Sequence, residues 1–305
     1  MDTPTRLSTR PSGRSSASAV LRRDPLGVLG CLTTRDRHLL DLLDEHHVLT
    51  TSQLTRLAFP SRTMAQRRLL RLTQLGVLDR FRWHQQVGSQ DWHYSTGLLG
   101  CELIAAARSA SAPRPGEHRR RLTRLAASPR LAHLLGGNEV FTRLAGHAAT
   151  HPGCALSAWW SERRCTERYG QLVRPDGYGA WTQHGQHTEF FFEYDTGTEP
   201  LTRVVAKLPG YADLAAAGGP AIPVLIWLPT GRREANLHAA LAGQHPTVTV
   251  ATSTTELAAG TGHSPAGPLW RITGDNQHRL PLIALGAGQN TPPEPELHPS
   301  MDQVR

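Results

Sequence analysis

The sequence predicts a mixed α+β chain of 305 residues with two folded domains, and three observations predict it. Leucines recur at helical spacing through the first hundred residues, which argues for a compact helical segment. From residue 189 onward, short aromatic and β-branched runs alternate with helix-like stretches, the pattern of an α/β domain. The charge divides between the halves: residues 1–150 hold 22 Arg against 11 Asp and Glu, net +11, whereas residues 151–305 hold 10 Arg and 1 Lys against 14 Asp and Glu, net −3. The length allows two modest cores, and the sign asymmetry implies different partners for the two halves. A basic half attracts a polyanion, of which duplex DNA is the commonest.

Residues 1–30 are rich in Arg, Ser and Thr without an apolar stretch and read as a disordered basic arm, not a secretory signal. Residues 31–107 carry the helical pattern. Leu39, Leu40, Leu42 and Leu43 follow Thr33 or Thr34 as N-cap, and Leu54 and Leu57 follow Thr51 or Ser52. Phe59-Pro60 breaks the chain. Ser61 then caps a third helix over Arg62–Leu75, with Leu69, Leu70 and Leu72 on its buried side and Gly76 as its stop. Residues 77–83 and 92–95 read as two strands joined by a polar connection. The order helix, helix, turn, helix, hairpin is that of a winged helix-turn-helix. Such a unit places its third helix in the major groove of double-stranded DNA. Arg62, Arg67, Arg68 and Arg71 supply cations on that helix, and Arg80, Arg82 and His84 sit where a wing meets the backbone. The competing reading is a helical domain whose arginine face contacts protein.

Residues 108–130, rich in Arg, Ala, Ser and Pro, read as a linker. Residues 131–149 are helical in pattern, with Gly136-Gly137 as an interruption or a packing notch and Asn138 as a cap for a second half. This helix is a candidate for pairing two protomers into a homodimer on a twofold DNA site. Residues 131–285 form the second domain, with strands expected at 189–195, 222–228 and 247–252 and helices at 204–217 and 232–242. Pro209-Gly210 argues that the first of these helices starts only after them. Residues 286–305 are Pro-rich and read as a disordered tail.

The second domain carries one constellation with chemical meaning. Glu193 and Asp195 are two apart on a strand and share a face, Asp176 precedes them at a turn, and Lys207, the single lysine of the chain, follows. Three carboxylates on one edge suit Mg²⁺, and a neighbouring lysine stabilises charge on a reacting phosphate. Pro175-Asp176 followed by Glu193-x-Asp195 resembles the PD-(D/E)xK nuclease motif, with Asp195 standing where that motif has lysine and Lys207 as a displaced substitute. The implied domain is an α/β nuclease-like one, close to restriction endonucleases. The plainer reading makes Asp176 a turn residue and pairs the strand-end acids with Arg203 or Arg174.

Cys31, Cys101, Cys154 and Cys165 form no C-x-x-C pair, so neither zinc nor a disulfide framework is indicated. No Walker or G-x-G-x-x-G loop and no H-E-x-x-H occurs, which argues against an ATPase, a dehydrogenase and an imidazole metal site. No apolar run is long enough to span a membrane, and a cytoplasmic location is expected.

Several segments together resemble the replication-relaxation family of actinobacterial plasmid and integrative-element proteins. They are Leu32-Thr33-Thr34-Arg35-Asp36, Leu49-Thr50-Thr51-Ser52-Gln53-Leu54, Arg68-Leu69-x-Arg71-Leu72 with Leu75-Gly76-Val77-Leu78, His133-Leu134-Leu135-Gly136-x-Asn138-Glu139, Arg174-Pro175-Asp176-Gly177, Phe192-Glu193-Tyr194-Asp195 and Lys207-x-x-x-Tyr211. The resemblance spans roughly residues 32–250. It implies a DNA role in plasmid replication, relaxation or transfer, with plasmid replication or transfer proteins as further partners. It does not define a reaction.

Overall fold

A computed structural model describes residues 7–8, 25–83, 91–244, 247–274 and 278–286. The chain is mixed α and β and divides into two compact units, the first ending at Asn138 and the second beginning at Glu139.

The first unit contains β1 (Leu7–Ser8), α1 (Pro25–Leu29), α2 (Thr34–His46), β2 (Leu49–Thr50), α3 (Thr51–Ala58), α4 (Arg62–Gln74), β3 (Leu78–Trp83), β4 (His93–Thr96), α5 (Leu98–Ala107) and α6 (Pro115–Ala126), and it ends within α7 (Leu131–Ala148). Its strands form one antiparallel sheet in the order β1-β3-β4-β2. The core is built from Leu39, Leu40 and Leu43 of α2, Leu54 of α3, Leu69 and Leu72 of α4, and Leu78 and Phe81 of β3. Each such side chain contributes about 1.5–3 kcal/mol when fully buried.

Side chains set the helix starts. Thr33 caps α2 in a capping box closed by Asp36. Ser61 caps α4 by accepting from the Met64 N–H. The cap of α3 is Thr50, not Thr51 or Ser52, in a box closed by Gln53. Leu70 is 39% exposed rather than buried, and Ala65 takes its place in the core. After α4, Gly76 adopts φ +77°, a left-handed conformation that glycine enters without penalty. The chain then returns so closely that a Cβ on Gly97 would lie 2.3 Å from the Gly76 carbonyl oxygen, and one on Gly100 would lie 2.3 Å from that of Val77. Bare backbone at both positions lets α5 sit against this turn.

Three expectations for the first unit need correction. The arm over 1–30 lies mostly outside the described residues, but its end forms α1, with Val28 buried, and Leu7–Ser8 pairs with β3. The segment 108–130 is not an extended linker: α6 occupies most of it, because Leu122, Leu125 and Ala126 share a face that packs on Val48, Phe81 and Leu131. The helix α7 continues unbroken through Gly136-Gly137. Asn138 is not a cap but a buried residue whose Nδ2 donates to the Val48 carbonyl at 3.0 Å.

The second unit holds β5 (Cys154–Ser161), α8 (Glu162–Tyr169), β6 (Gly177–Gln183), β7 (Gln186–Tyr194), α9 (Leu201–Ala216), β8 (Val224–Leu228), α10 (Gly231–Leu241), β9 (Val250–Thr254), α11 (Thr255–Thr261), β10 (Arg271–Ile272) and a 3-10 turn (Leu282–Gly286). The sheet order is β10-β9-β8-β7-β6-β5. Strands β5, β6 and β7 form an antiparallel meander, β7, β8 and β9 run parallel, and β10 closes the far edge antiparallel. The parallel connections pass through α9 and α10.

Strand β7 organises both faces. Phe191 joins the cluster made with Cys165, Leu208, Tyr211, Leu237 and Leu241 from α8, α9 and α10. Phe190 and Phe192 point the other way and pack on Phe141 of α7, with ring centroids 6.0 and 5.2 Å away. Val140, Phe141, Leu144 and Ala145 of α7 are buried within the chain, whereas Leu134, Leu135 and Ala148 are half-buried. Strands β5 and β6, which lie outside the strands expected from the sequence, carry no continuous apolar run: β5 reads CALSAWWS and β6 reads GYGAWTQ. Pro209 lies inside α9, which begins at Leu201 rather than after Pro209-Gly210. The expected tail lies, apart from Gly286, outside the described residues. Among the described residues no helix is long and apolar enough to cross a membrane.

Candidate functional site

The helix α4 presents its arginines unequally. Arg68 turns back to the core: its Nε donates to Asp36 Oδ1 at 2.9 Å, a second nitrogen reaches Asp36 Oδ2, and Nη2 also reaches the Cys31 carbonyl at 3.1 Å. Asp36 is fully buried. Burial pushes its carboxyl up, but the bonds from Arg68 and Thr33 outweigh that and hold it below the usual carboxylate range. Arg68 therefore clamps α2 to α4, with about a third of its side-chain surface left exposed. Arg62 pairs with Asp91 and donates to Ser52 Oγ at 2.8 Å, while half its side-chain surface stays exposed. Arg67 and Arg71, one turn apart, are exposed on the face opposite Ala65, Leu69 and Leu72. Thr63, Met64, Gln66 and Gln74 share that open surface.

The hairpin β3–β4 holds its cations on one indole. Arg80 and Arg82 lie over the Trp92 ring at 4.1 and 4.3 Å, because residues two apart on a strand share a face. His84 lies outside the described residues.

A second ionisable cluster of this unit has no signature in the sequence. His118 of α6 bonds through Nε2 to Asp79 Oδ2 at 2.7 Å, and its Nδ1 lies 3.8 Å from the Cys101 sulfur. The bond to Asp79, then that to Cys101, raises the imidazole to about 9. No local spacing signals this group, since its members come from β3, α5 and α6.

In the second unit, Asp176, Glu193 and Lys207 converge. Lys207 and Tyr211, one turn apart on α9, reach the two oxygens of Glu193; the Tyr211 hydroxyl donates at 2.5 Å. Asp176 Oδ1 lies 4.0 Å from Lys207 Nζ, and its Oδ2 accepts the Tyr194 N–H at 2.9 Å. Burial, then the Asp176 charge, pushes Glu193 up to about 8, against the opposing pull of Lys207 and Tyr211. Burial lowers Lys207, but Glu193 and Asp176 more than offset it. These groups titrate as a unit.

Asp195 does not join them. It falls just beyond the end of β7, where both its oxygens bond Arg233 of α10, one at 3.0 Å, and Oδ1 also accepts the Gly197 N–H at 2.8 Å. Glu193 lies in β7 and Asp195 one residue past its end, and α9 engages the first whereas α10 engages the second. Neither Arg203 nor Arg174 is the partner: Arg203 pairs with Glu199, and Arg174 faces the Gly170 carbonyl. Among the described residues no group of three or more His, Cys, Asp or Glu is placed to hold a metal ion. The donor chemistry agrees. Mg²⁺ needs several oxygens free of competing donors, yet Glu193 and Asp195 have both oxygens engaged, and Asp176 accepts the Tyr194 N–H with one oxygen and faces Lys207 with the other. The expected Asp176, Glu193, Asp195 triad is thus an ion-paired network that does not fit the metal.

Residues 40–224, more than half of the chain, match the family model described as replication-relaxation. No curated protein and no solved structure matches the chain.

Proposed function

The chain belongs to the replication-relaxation family, and on that premise we propose that its first unit is a winged helix that binds duplex DNA during replication, relaxation or transfer of a plasmid or related mobile element. In this reading α4 enters the major groove and the β3–β4 hairpin lies along the adjacent backbone. One observation carries it. Arg67 and Arg71 remain open to solvent on the face of α4 turned away from the core, beside the polar Thr63, Gln66 and Gln74. Arg68 fixes the angle of that helix from behind through Asp36.

The experiment is a titration of the full chain against labelled duplex over a salt series. We expect steep weakening with salt, as counterion release requires, and a further loss in R67Q/R71Q. Absence of duplex binding by the wild-type chain would sink the reading and leave a protein-contacting role for the same face.

A further inference from the structure

The segment that composition marks as a linker carries four exposed arginines on one short helix. In α6 the buried face is His118, Leu122, Leu125 and Ala126. At 100° per residue, Arg120 and Arg124 lie directly opposite that face, and Arg119 and Arg121 flank them. All four are exposed. The one carboxylate on the helix, Glu117, accepts the Arg114 backbone N–H at 3.0 Å and closes the N-terminal cap. Among the described residues no ion pair links any of the four arginines to an acid. Like charges three and four residues apart on a helix repel one another. The helix is nonetheless held firmly, by its apolar face and by the His118–Asp79 bond to β3, the first strand of the hairpin.

We propose that α6 is a second phosphate-binding surface and that its occupant is the backbone of duplex DNA, contacted without regard to sequence. The inference rests on the duplex-binding reading of the same unit and extends it to a separate element. Charge complementarity selects the occupant. Duplex DNA carries a negative charge for about every 1.7 Å of axis. Arg119 to Arg124 span about 7.5 Å of the axis of α6, which at that charge spacing faces about four phosphate charges. Arginine serves such contacts well, since its fork can bond two phosphate oxygens at once. The tie through Asp79 keeps this surface in register with the hairpin.

The test uses the full chain, a labelled target duplex selected for tightest binding from a random pool, and an unselected random-sequence duplex, between about 50 and 200 mM salt. For R120Q/R124Q we expect weaker binding by the same factor on both duplexes. Its plot of log affinity against log salt should be shallower by about 0.9 for each phosphate that is no longer neutralised. R67Q/R71Q should instead narrow the gap between target and random duplex. R119Q/R121Q, on the flanks of the same face, should act in the direction of R120Q/R124Q but less. An unchanged slope in R120Q/R124Q, with wild type binding duplex steeply, overturns this inference and leaves the α4 reading standing. Wild type that ignores duplex overturns the parent reading. If that chain instead binds phosphatidylserine vesicles through Arg120 and Arg124, the duplex is the wrong occupant.

Discussion

The arginines of α6 and the ionisable groups between β7 and α9 handle charge in opposite ways. On α6 four cations are exposed and, among the described residues, have no carboxylate partner, on a helix anchored by its apolar face. In the second unit Glu193, Asp195 and Asp176 are drawn inward and engaged by Lys207, Tyr211, Arg233 and the Tyr194 N–H. A charge already compensated inside the protein has little left to offer a ligand, and its removal is felt as instability. An uncompensated surface charge has the reverse profile. The helix α4 contains both kinds side by side, with Arg68 locked to Asp36 while Arg67 and Arg71 are open.

Mutations should separate the two kinds. The largest effect is expected for Glu193→Ala, which leaves the Tyr211 hydroxyl and Lys207 without their partner and opens a small cavity. Urea unfolding should show a loss of about 3 kcal/mol or more, whereas Arg120→Ala should stay within about 0.5 kcal/mol of wild type. Equal losses in the two would erase the contrast. Asp36→Ala comes next. It removes the acceptor of both Arg68 and the Thr33 N–H and should cost about 2 kcal/mol. Arg67→Ala should leave the melting temperature nearly unchanged while lowering duplex affinity by about 1–3 kcal/mol if it reads a base.

A smaller effect follows from pH. His118 is raised in the folded state by Asp79 and Cys101. Its stabilisation is therefore complete below the ordinary histidine range and is lost as pH rises through about 9. Thermal unfolding of His118→Gln should lack that alkaline decline; an identical decline in both proteins would assign it elsewhere. The smallest effect is none at all. Supercoiled plasmid should stay intact with the wild-type chain and Mg²⁺ or Mn²⁺, and cleavage abolished by Asp176→Asn would reverse that expectation.

Much of the first unit was legible in the chain because its signals are local. Leucine spacing, Thr33 and Ser61 as caps, and Gly76 after α4 each act within a few residues. The helix α6 is hidden because Ser, Pro and Arg dominate the composition of its segment, whereas only its four-residue apolar spacing records the packed face. In the second unit the buried strands β7 and β8 stand out as apolar runs. Strands β5 and β6 do not, since small residues admit large neighbours: a Cβ on Gly179 would lie 2.4 Å from the Phe190 ring. At the acidic site, strand alternation could not tell that β7 ends at Tyr194, one residue short of Asp195. Which helix captures each depends on Arg233, 38 residues beyond Asp195, and no short motif carries that distance.

The setting of Glu193 has a calorimetric consequence. Burial and the Asp176 charge, acting against Lys207 and Tyr211, raise Glu193 to about 8, so the coupled cluster of Asp176, Glu193 and Lys207 keeps a proton to higher pH than a solvated glutamate does. Folding near neutrality therefore takes a hydrogen ion from the medium, and stability falls as pH climbs from about 4.5 towards 8. The measured enthalpy of melting at about pH 7 should then differ between phosphate and Tris by an amount set by their heats of ionisation, and Glu193→Gln should abolish that difference.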